Sequence, residues 1–433
     1  MNIRLQPNTN PAKNVILFLG DGMGISTTTA ARIFDGQSRG ESGEENVLSW
    51  ETFPYTALSK TYNTDVQVPD SAGTATAFGT GVKTREGILG LNGKAIFENC
   101  ASAKGNEVLS ILTFAELAGM STGLITNTRV THATPGAFYS HTPSRNWEND
   151  QSAQGTCVDI SRQLIEYQYG NGIDVVLGGG WRSFLPCGSK DPEGKTFEDL
   201  AKCRNDGRNL TNEWLGKYNN SAVVWNKDEL KKIDPDQVDH LLGLFASSVM
   251  EYEVLRPEKN RSHEPNFIEM VEKTIEILRK NPKGFFLMAE GGLIDWAHHD
   301  NNAHLSLSET ASMAKAVKKV QDMTNADETL ILVTADHSHS FTQFGNVKRG
   351  NPIFGFQSKL PLDGKPALSL SYADGPTGLI GNQTRANLTG ANYNDTGFLQ
   401  QALIKMEYES HSAEDVGQFF YILIFTSACE SHF

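Results

Sequence analysis

The sequence predicts an α/β fold: a doubly wound, mostly parallel central sheet flanked by helices, with an irregular, crown-like insertion at the surface. Three observations carry that prediction. Short apolar runs of strand length recur along the chain, helical periods separate them, and the runs end abruptly in glycine or an acid. Val15 to Leu19 leads into Gly20-Asp21-Gly22-Met23-Gly24, and Ile173 to Leu177 leads into three glycines. Phe285 to Ala289 leads into Glu290-Gly291-Gly292, and Leu330 to Thr334 leads into Ala335-Asp336-His337. Such runs read as parallel strands covered on both faces. Between them Phe267, Val271, Ile275 and Leu278 keep a helical period that Asn281-Pro282 stops, and Met313, Ala316, Val317 and Val320 keep another. Residues 341–400 are rich in Gly, Asn, Thr and Pro and read as the insertion. The predicted core is then 11–340 with 401–416, and 417–433 is a divergent tail.

The 433 residues can bury a large core, and 39% hydrophobic with 21% charged residues excludes fibrous and wholly disordered classes. With 38 basic against 51 acidic residues the net charge is −13, which argues against nucleic acid or an anionic membrane as main partner. Five cysteines, at 100, 157, 187, 203 and 429, are too few for a disulfide scaffold and show no C-x-x-C spacing. Sequons at Asn209, Asn219, Asn260, Asn382, Asn387 and Asn394 favour a secreted chain. No leader pattern opens the sequence, and Phe419 to Phe425 is too short to span a bilayer or to read as an intact lipid-anchor signal.

Ligands of open α/β sheets bind beyond the carboxyl ends of the strands. An acid after a strand is ordinarily a helix cap, yet Asp21, Glu290 and Asp336 all arrive at that edge. Asp295 and His299, four residues apart, share a helical face, the spacing by which one helix offers two ligands to zinc. Asp336-His337-Ser338-His339 adds a second cluster. Ser71, in Val68-Pro69-Asp70-Ser71-Ala72-Gly73-Thr74, precedes tiny residues that can open a helix, so it reads either as a capping serine or as a nucleophile. A helix N-terminus favours a phosphoryl anion, and small neighbours allow close approach. No Gly-x-Ser-x-Gly elbow suggests a histidine base, so activation falls to metal: zinc lowers the pKa of bound water from about 16 to about 7, and two ions about 4 Å apart can hold the attacking and leaving oxygens. Arg145 is the candidate to hold the remaining phosphate oxygens through its fork.

These motifs, with Thr131-His132-Ala133-Thr134-Pro135, Arg145-Asn146-Trp147, His298-His299 and Glu409-Ser410-His411-Ser412-Ala413-Glu414-Asp415-Val416, occur in the order found in animal alkaline phosphatases, which the chain resembles from about residue 11 to 416. The resemblance implies a phosphomonoesterase of broad substrate range and alkaline optimum, in which Ser71 becomes a phosphoserine that water then hydrolyses. It implies one zinc held by Asp295, His299 and His411, and a second by Asp21, Asp336, His337 and the Ser71 oxygen. It implies a magnesium held by Asp21, Thr134 and Glu290, with His132 beside it, His339 behind the first zinc and Asp70 orienting Arg145. A weak calcium site is implied at Glu213, the Phe245 carbonyl and Glu264, with Ala246 where an acid is expected. By position Cys100 and Cys157 match a family disulfide, and Cys187 with Cys203 is a candidate second. A homodimer at the cell surface or outside the cell, lipid-anchored in full-length relatives, is the implied setting, with small phosphomonoesters as partners and no nucleic acid.

The chain departs from the family at Trp296, often histidine there, and at both ends, where the usual leader, N-terminal helix and anchor are not read. His411 lies five residues before the divergence at 416, so an alternative expectation is a glycosylated, metal-binding surface protein of the same fold with impaired catalysis.

Overall fold

The computed structural model describes residues 11–190, 192, 194 and 203–421. Its strands are β1 (Asn14–Gly20), β2 (Tyr55–Ser59), β3 (Ser121–Arg129), β4 (Val175–Gly179), β5 (Ser221–Val224), β6 (His240–Leu244), β7 (Phe285–Gly291), β8 (Thr329–Ala335), β9 (Ser338–His339), β10 (Phe341–Gln343), β11 (Leu370–Gly375), β12 (Ala402–Lys405), β13 (His411–Ser412) and β14 (Val416–Phe420). Nine of them form one sheet in the order β2-β14-β8-β1-β7-β3-β4-β6-β5. Every neighbouring pair in it is parallel except the two made by β14. This is the doubly wound, mostly parallel sheet the apolar runs predict.

Because side chains alternate across a strand, a run apolar at every position feeds two cores. Ile16, Phe18, Leu287 and Ala289 face one, and Leu17, Phe286 and Met288 face the other. The first is closed by the helices Ile25–Ser38, Phe267–Leu278 and Ala303–Met323, through Ala30, Val271 and Val317 among others. The second is closed by Ser71–Thr80, Ile111–Leu117, Ile160–Ile165 and Leu210–Lys217, through Ala75, Leu112, Leu164 and Trp214. Helix Phe267–Leu278 starts where the sequence signals it: the Asn266 side chain accepts from Glu269 N, and the Glu269 carboxylate accepts from Asn266 N.

Two expected boundaries run across ordered elements. Within 341–400, β10 and β11 pair in a small sheet that β12 of the following segment completes, and Phe341, Leu370 and Tyr372 are buried in the main core. β14 runs to Phe420 between β2 and β8, across the expected start of the divergent tail at 417, with Val416 fully buried. Backbone pairing asks only for an extended chain with an apolar side, which Val416, Phe419 and Phe420 supply whatever their likeness to relatives. Residues 422–433, with Cys429 and most of the expected tail, lie outside the described residues. Disulfides join Cys100 to Cys157 and Cys187 to Cys203. No helix among the described residues is long and apolar enough to cross a membrane.

Candidate metal centre and active site

The strand register gathers the acids. Gly20 pairs with Gly291 on one side and Ala335 on the other, so Asp21 and Asp336 leave adjacent strand ends and Glu290 lies opposite Leu19. After β1 the chain turns through Gly22 at φ +68°, where a Cβ would stand 2.3 Å from His339 Nε2. Only glycine combines that dihedral with that approach. Gly22 N also donates to Asp336 Oδ1 at 2.9 Å.

Ser71 is the first residue of its helix, and the cap is its neighbour. The Asp70 carboxylate accepts from Ala72 N at 3.3 Å and Gly73 N at 3.0 Å, which frees the Ser71 hydroxyl from capping. Ser71 Oγ instead lies 3.4 Å from both Asp21 Oδ1 and His337 Nε2, in a site where Ser71 is 1% exposed. His337 Nε2 is in turn 3.2 Å from Asp336 Oδ2. Beside this group Asp295 Oδ1 meets three imidazoles: His299 Nε2 at 3.3 Å, His411 Nε2 at 3.3 Å and His339 Nε2 at 2.9 Å. Helix Leu293–His299 delivers Asp295 and His299 from one face, as their spacing predicts. His411 is far from loose. Its Nδ1 bonds to the Pro69 carbonyl at 2.8 Å, and its ring stacks on His337 with centroids 3.6 Å apart.

The third group is Asp21, Thr134 and Glu290. Asp21 Oδ2, Thr134 Oγ1 and Glu290 Oε1 are all buried without a hydrogen-bond partner. Three dry, unpartnered oxygens are costly unless a hard cation takes them. The imidazole and carboxylate set around Ser71 and Asp295 is likewise the donor chemistry of zinc. Among the described residues four sets of side-chain donors lie close enough to hold an ion: Asp21 with Asp336 and His337, Asp295 with His337, His339 and His411, Asp21 with His132 and Glu290, and His299 with His339 and Glu409. The residues present therefore fit the metals the sequence implies.

Electrostatics agree. Burial, then the charges of Asp336, Asp295 and Glu290, pushes Asp21 well above the usual carboxylate range. Burial pushes Glu290 up to about 7 against hydrogen bonds from the Thr126 and Thr128 hydroxyls. A cation would reverse both shifts. Arg145 lies beside this group, its Nη1 3.1 Å from Asp70 Oδ2 and its Nη2 3.2 Å from His132 Nε2. Burial works against its charge, but Asp70 and Asp21 hold it protonated. Burial and then Arg145 and Arg129 keep His132 neutral, well below its ordinary pKa. Trp296 stands next to it, ring centroids 6.4 Å apart, with the Arg129 guanidinium over the indole at 5.7 Å.

The implied calcium residues keep other company. Glu213 is committed to Arg208 at 2.5 Å, whereas Glu264 accepts from Glu251 N at 2.8 Å. Sequence reasoning also passed over Glu409, which is fully buried. Its Oε2 takes His339 Nδ1 at 2.5 Å, its Oε1 takes Ser340 N at 2.6 Å, and its carbonyl takes His299 Nδ1 at 2.5 Å. The signal was there, two residues before His411, but an acid in a polar loop has no mark of its own. In the His298-His299 pair only the second reaches the cluster, since His298 is spent on Ser306 at 2.8 Å and the Tyr372 hydroxyl at 2.8 Å.

The sequence model of the alkaline phosphatase family matches residues 12–422. Alkaline phosphatase of Gadus morhua is 44% identical over 95% of this chain and 87% of its own length, and the human tissue-nonspecific isozyme is 44% identical over 95% and 79%. Among solved structures, alkaline phosphatase of Thermus thermophilus superposes with a TM-score of 0.67 at 22% identity, over 98% of this chain and 89% of that one. That of the Antarctic bacterium TAB5 reaches 0.65 at 22% identity, over 95% and 92%. With its site at the carboxyl edge of the sheet and relatives of this identity along nearly its whole length, the chain belongs to the alkaline phosphatase family of phosphomonoesterases.

Proposed function

We propose that the chain hydrolyses small phosphate monoesters through a covalent phosphoserine at Ser71, with two zinc ions and one magnesium. The observation that carries this reading is the position of Ser71 Oγ, freed from capping by Asp70 and set between Asp21 and His337. Asp295, His299 and His411 would hold one zinc, Asp21, Asp336 and His337 the other, and Asp21, Thr134 and Glu290 the magnesium. When bound, the zinc ions stabilise negative charge on the attacking and departing oxygens, and magnesium offsets the buried carboxylates. In the first step Ser71 gives its hydroxyl proton to solvent and a bond forms from its Oγ to phosphorus as the ester bond breaks, the ester oxygen leaving with the electron pair and taking a proton from solvent. In the second, water attacks the phosphoserine, inorganic phosphate departs and Ser71 is restored. Arg145, its fork oriented by Asp70, binds the phosphate oxygens in both steps. A nucleophile that must lose its proton favours an alkaline optimum. The site grips the phosphate and little of the leaving group, which supports a broad substrate range.

The ordered His411 and the presence of β14 argue against the impaired alternative. Two disulfides and six sequons support a place outside the cell or at its surface, with any membrane attachment through a lipid anchor. A homodimer, implied by the family resemblance, belongs to the same reading.

The test is Ser71→Ala in protein supplied with zinc and magnesium. Turnover of an aryl phosphate should fall by about a thousandfold or more, and acid-quenched wild-type protein should carry a phosphoryl group on the Ser71 peptide. An unchanged rate, or label on another residue, would reject the reading.

A further inference from the structure

Helix Leu293–His299 presents Asp295 and His299, yet its own N-cap, Gly292, has no side chain to cap it. The first amides of any helix lack intrahelical partners, and here they are buried, so another element must supply an acceptor. That element is the end of β3. Asn127 Oδ1 accepts from Gly292 N at 2.7 Å and from Leu293 N at 3.1 Å. Its Nδ2 donates to Glu309 Oε2 at 3.0 Å, and Glu309 Oε1 accepts from Glu253 N at 2.7 Å. Asn127 is 2% and Glu309 4% exposed, so water replaces none of these bonds.

Only one orientation of the amide serves both sides. The carboxylate of Glu309 takes no donor role toward Nδ2, and the two backbone N–H groups need an oxygen. Glu309 therefore fixes which way Asn127 faces. Thr126 and Thr128, on the alternate positions of the strand, both donate to Glu290 Oε2. One strand end thus orients the magnesium-type acid with one set of side chains and holds the zinc-type helix with the other. The helix has little room to settle elsewhere: a Cβ on Gly292 would stand 2.4 Å from the Thr128 methyl. Asp295 lies two residues beyond Leu293 and meets three imidazole nitrogens within 2.9 to 3.3 Å, so a small shift of the helix start would spoil several distances together.

We propose that Asn127, set by Glu309, is a positioning residue that caps the ligand-bearing helix from a neighbouring strand and holds Asp295 and His299 in register for metal. The proposal rests on the metal-site reading above, and it concerns retention of metal rather than contact with substrate. The chemistry of the pair allows an exchange. Placing the carboxylate at position 127 and the amide at position 309 preserves every bond: the acid accepts from Gly292 N, Leu293 N and the new amide, whose carbonyl still accepts from Glu253 N.

The experiment uses the full chain loaded with zinc and magnesium, in wild type, Asn127→Ala, Asn127→Asp and the double variant Asn127→Asp with Glu309→Gln. Zinc loss to a chelator, amide exchange of residues 292–299 in metal-free protein, kcat and KM are measured on each. Both single variants should lose zinc about 10- to 100-fold sooner, exchange faster across the helix, and lose kcat while KM stays within about threefold. The double variant should recover zinc retention to within about threefold of wild type, a rescue that general destabilisation does not give. Zinc held by Asn127→Ala as in wild type would overturn the proposal, and so would a double variant no better than Asn127→Asp. If Asn127→Ala fails to fold, the comparison of the Asp variant with the double variant decides alone. A wild type that retains zinc but turns over no phosphomonoester would refute the proposed function, while chelation and exchange still judge Asn127.

Discussion

At residue scale the site depends on positions where one atom too many is intolerable. Gly22 turns at φ +68° with His339 Nε2 2.3 Å from its absent Cβ. In Gly22→Ala, His339 must withdraw, and with it the bond to Asp295 and the link to Glu409. We expect zinc affinity to fall by about 10- to 100-fold, measured by titration of metal-free protein; affinity within twofold of wild type would show that the histidine has room to yield. Most of the proposed site residues were legible as types and spacings. Asp295 and His299 declare a helical pair, and Asp336-His337 ends a strand. Glu409 and Asn127 were not legible, because a positioning side chain is defined by the groups it meets, and those are 70 and 165 residues away.

The element that most needs the fold to explain it is β14. It lies antiparallel between β8 and β2, and its first residue, Val416, is fully buried four positions after β13 ends. β13 carries His411 against His339 of β9. Placing a charge at that first position should break the insertion of the strand and release the ligand loop together. We expect Val416→Asp to lower stability by several kcal/mol and to raise zinc loss in the same preparation. A variant with a depressed melting temperature but normal zinc retention would show that β13 is held independently of β14. The strands with unbroken apolar runs were plain in the sequence; β14 was not, since Val416-Gly417-Gln418-Phe419-Phe420 gains its meaning from the gap it fills between β2 and β8.

For the whole molecule, the two edges of the sheet carry opposite burdens. The carboxyl edge holds the acids that metal would neutralise. At the amino edge a cavity of about 520 Å³ is lined by Ser121, Asp174 and His240 among others. Burial pushes Asp174 up to about 7 against a hydrogen bond from Thr122 N, and it pushes nearby Glu116 up to about 8 against the Thr122 hydroxyl. The native chain thus keeps protons there that the unfolded chain releases near pH 4. Their stabilising contribution is complete below about pH 4 and is lost as pH climbs through 7 and 8, so alkaline solution, which favours the proposed chemistry, weakens the fold. Glu116→Gln removes one of the two titrations. Its melting temperature should fall less between pH 6 and pH 9 than that of wild type, and an equal fall in both would dismiss the carboxyl as a source of the slope.

The sequence by itself determined the alternation of buried strands and helices, the edge where the acids collect, and the residue types able to hold metal beside Ser71. All of these are local: an apolar run, a four-residue spacing and a motif depend on near neighbours along the chain. The tertiary structure alone decided that Asp70 and not Ser71 caps the helix, that residues past 416 complete the sheet, and that Glu409 and Asn127 brace the ligands. Those outcomes turn on which distant groups meet, and no pattern of adjacent side chains encodes an encounter that only the closed fold brings about.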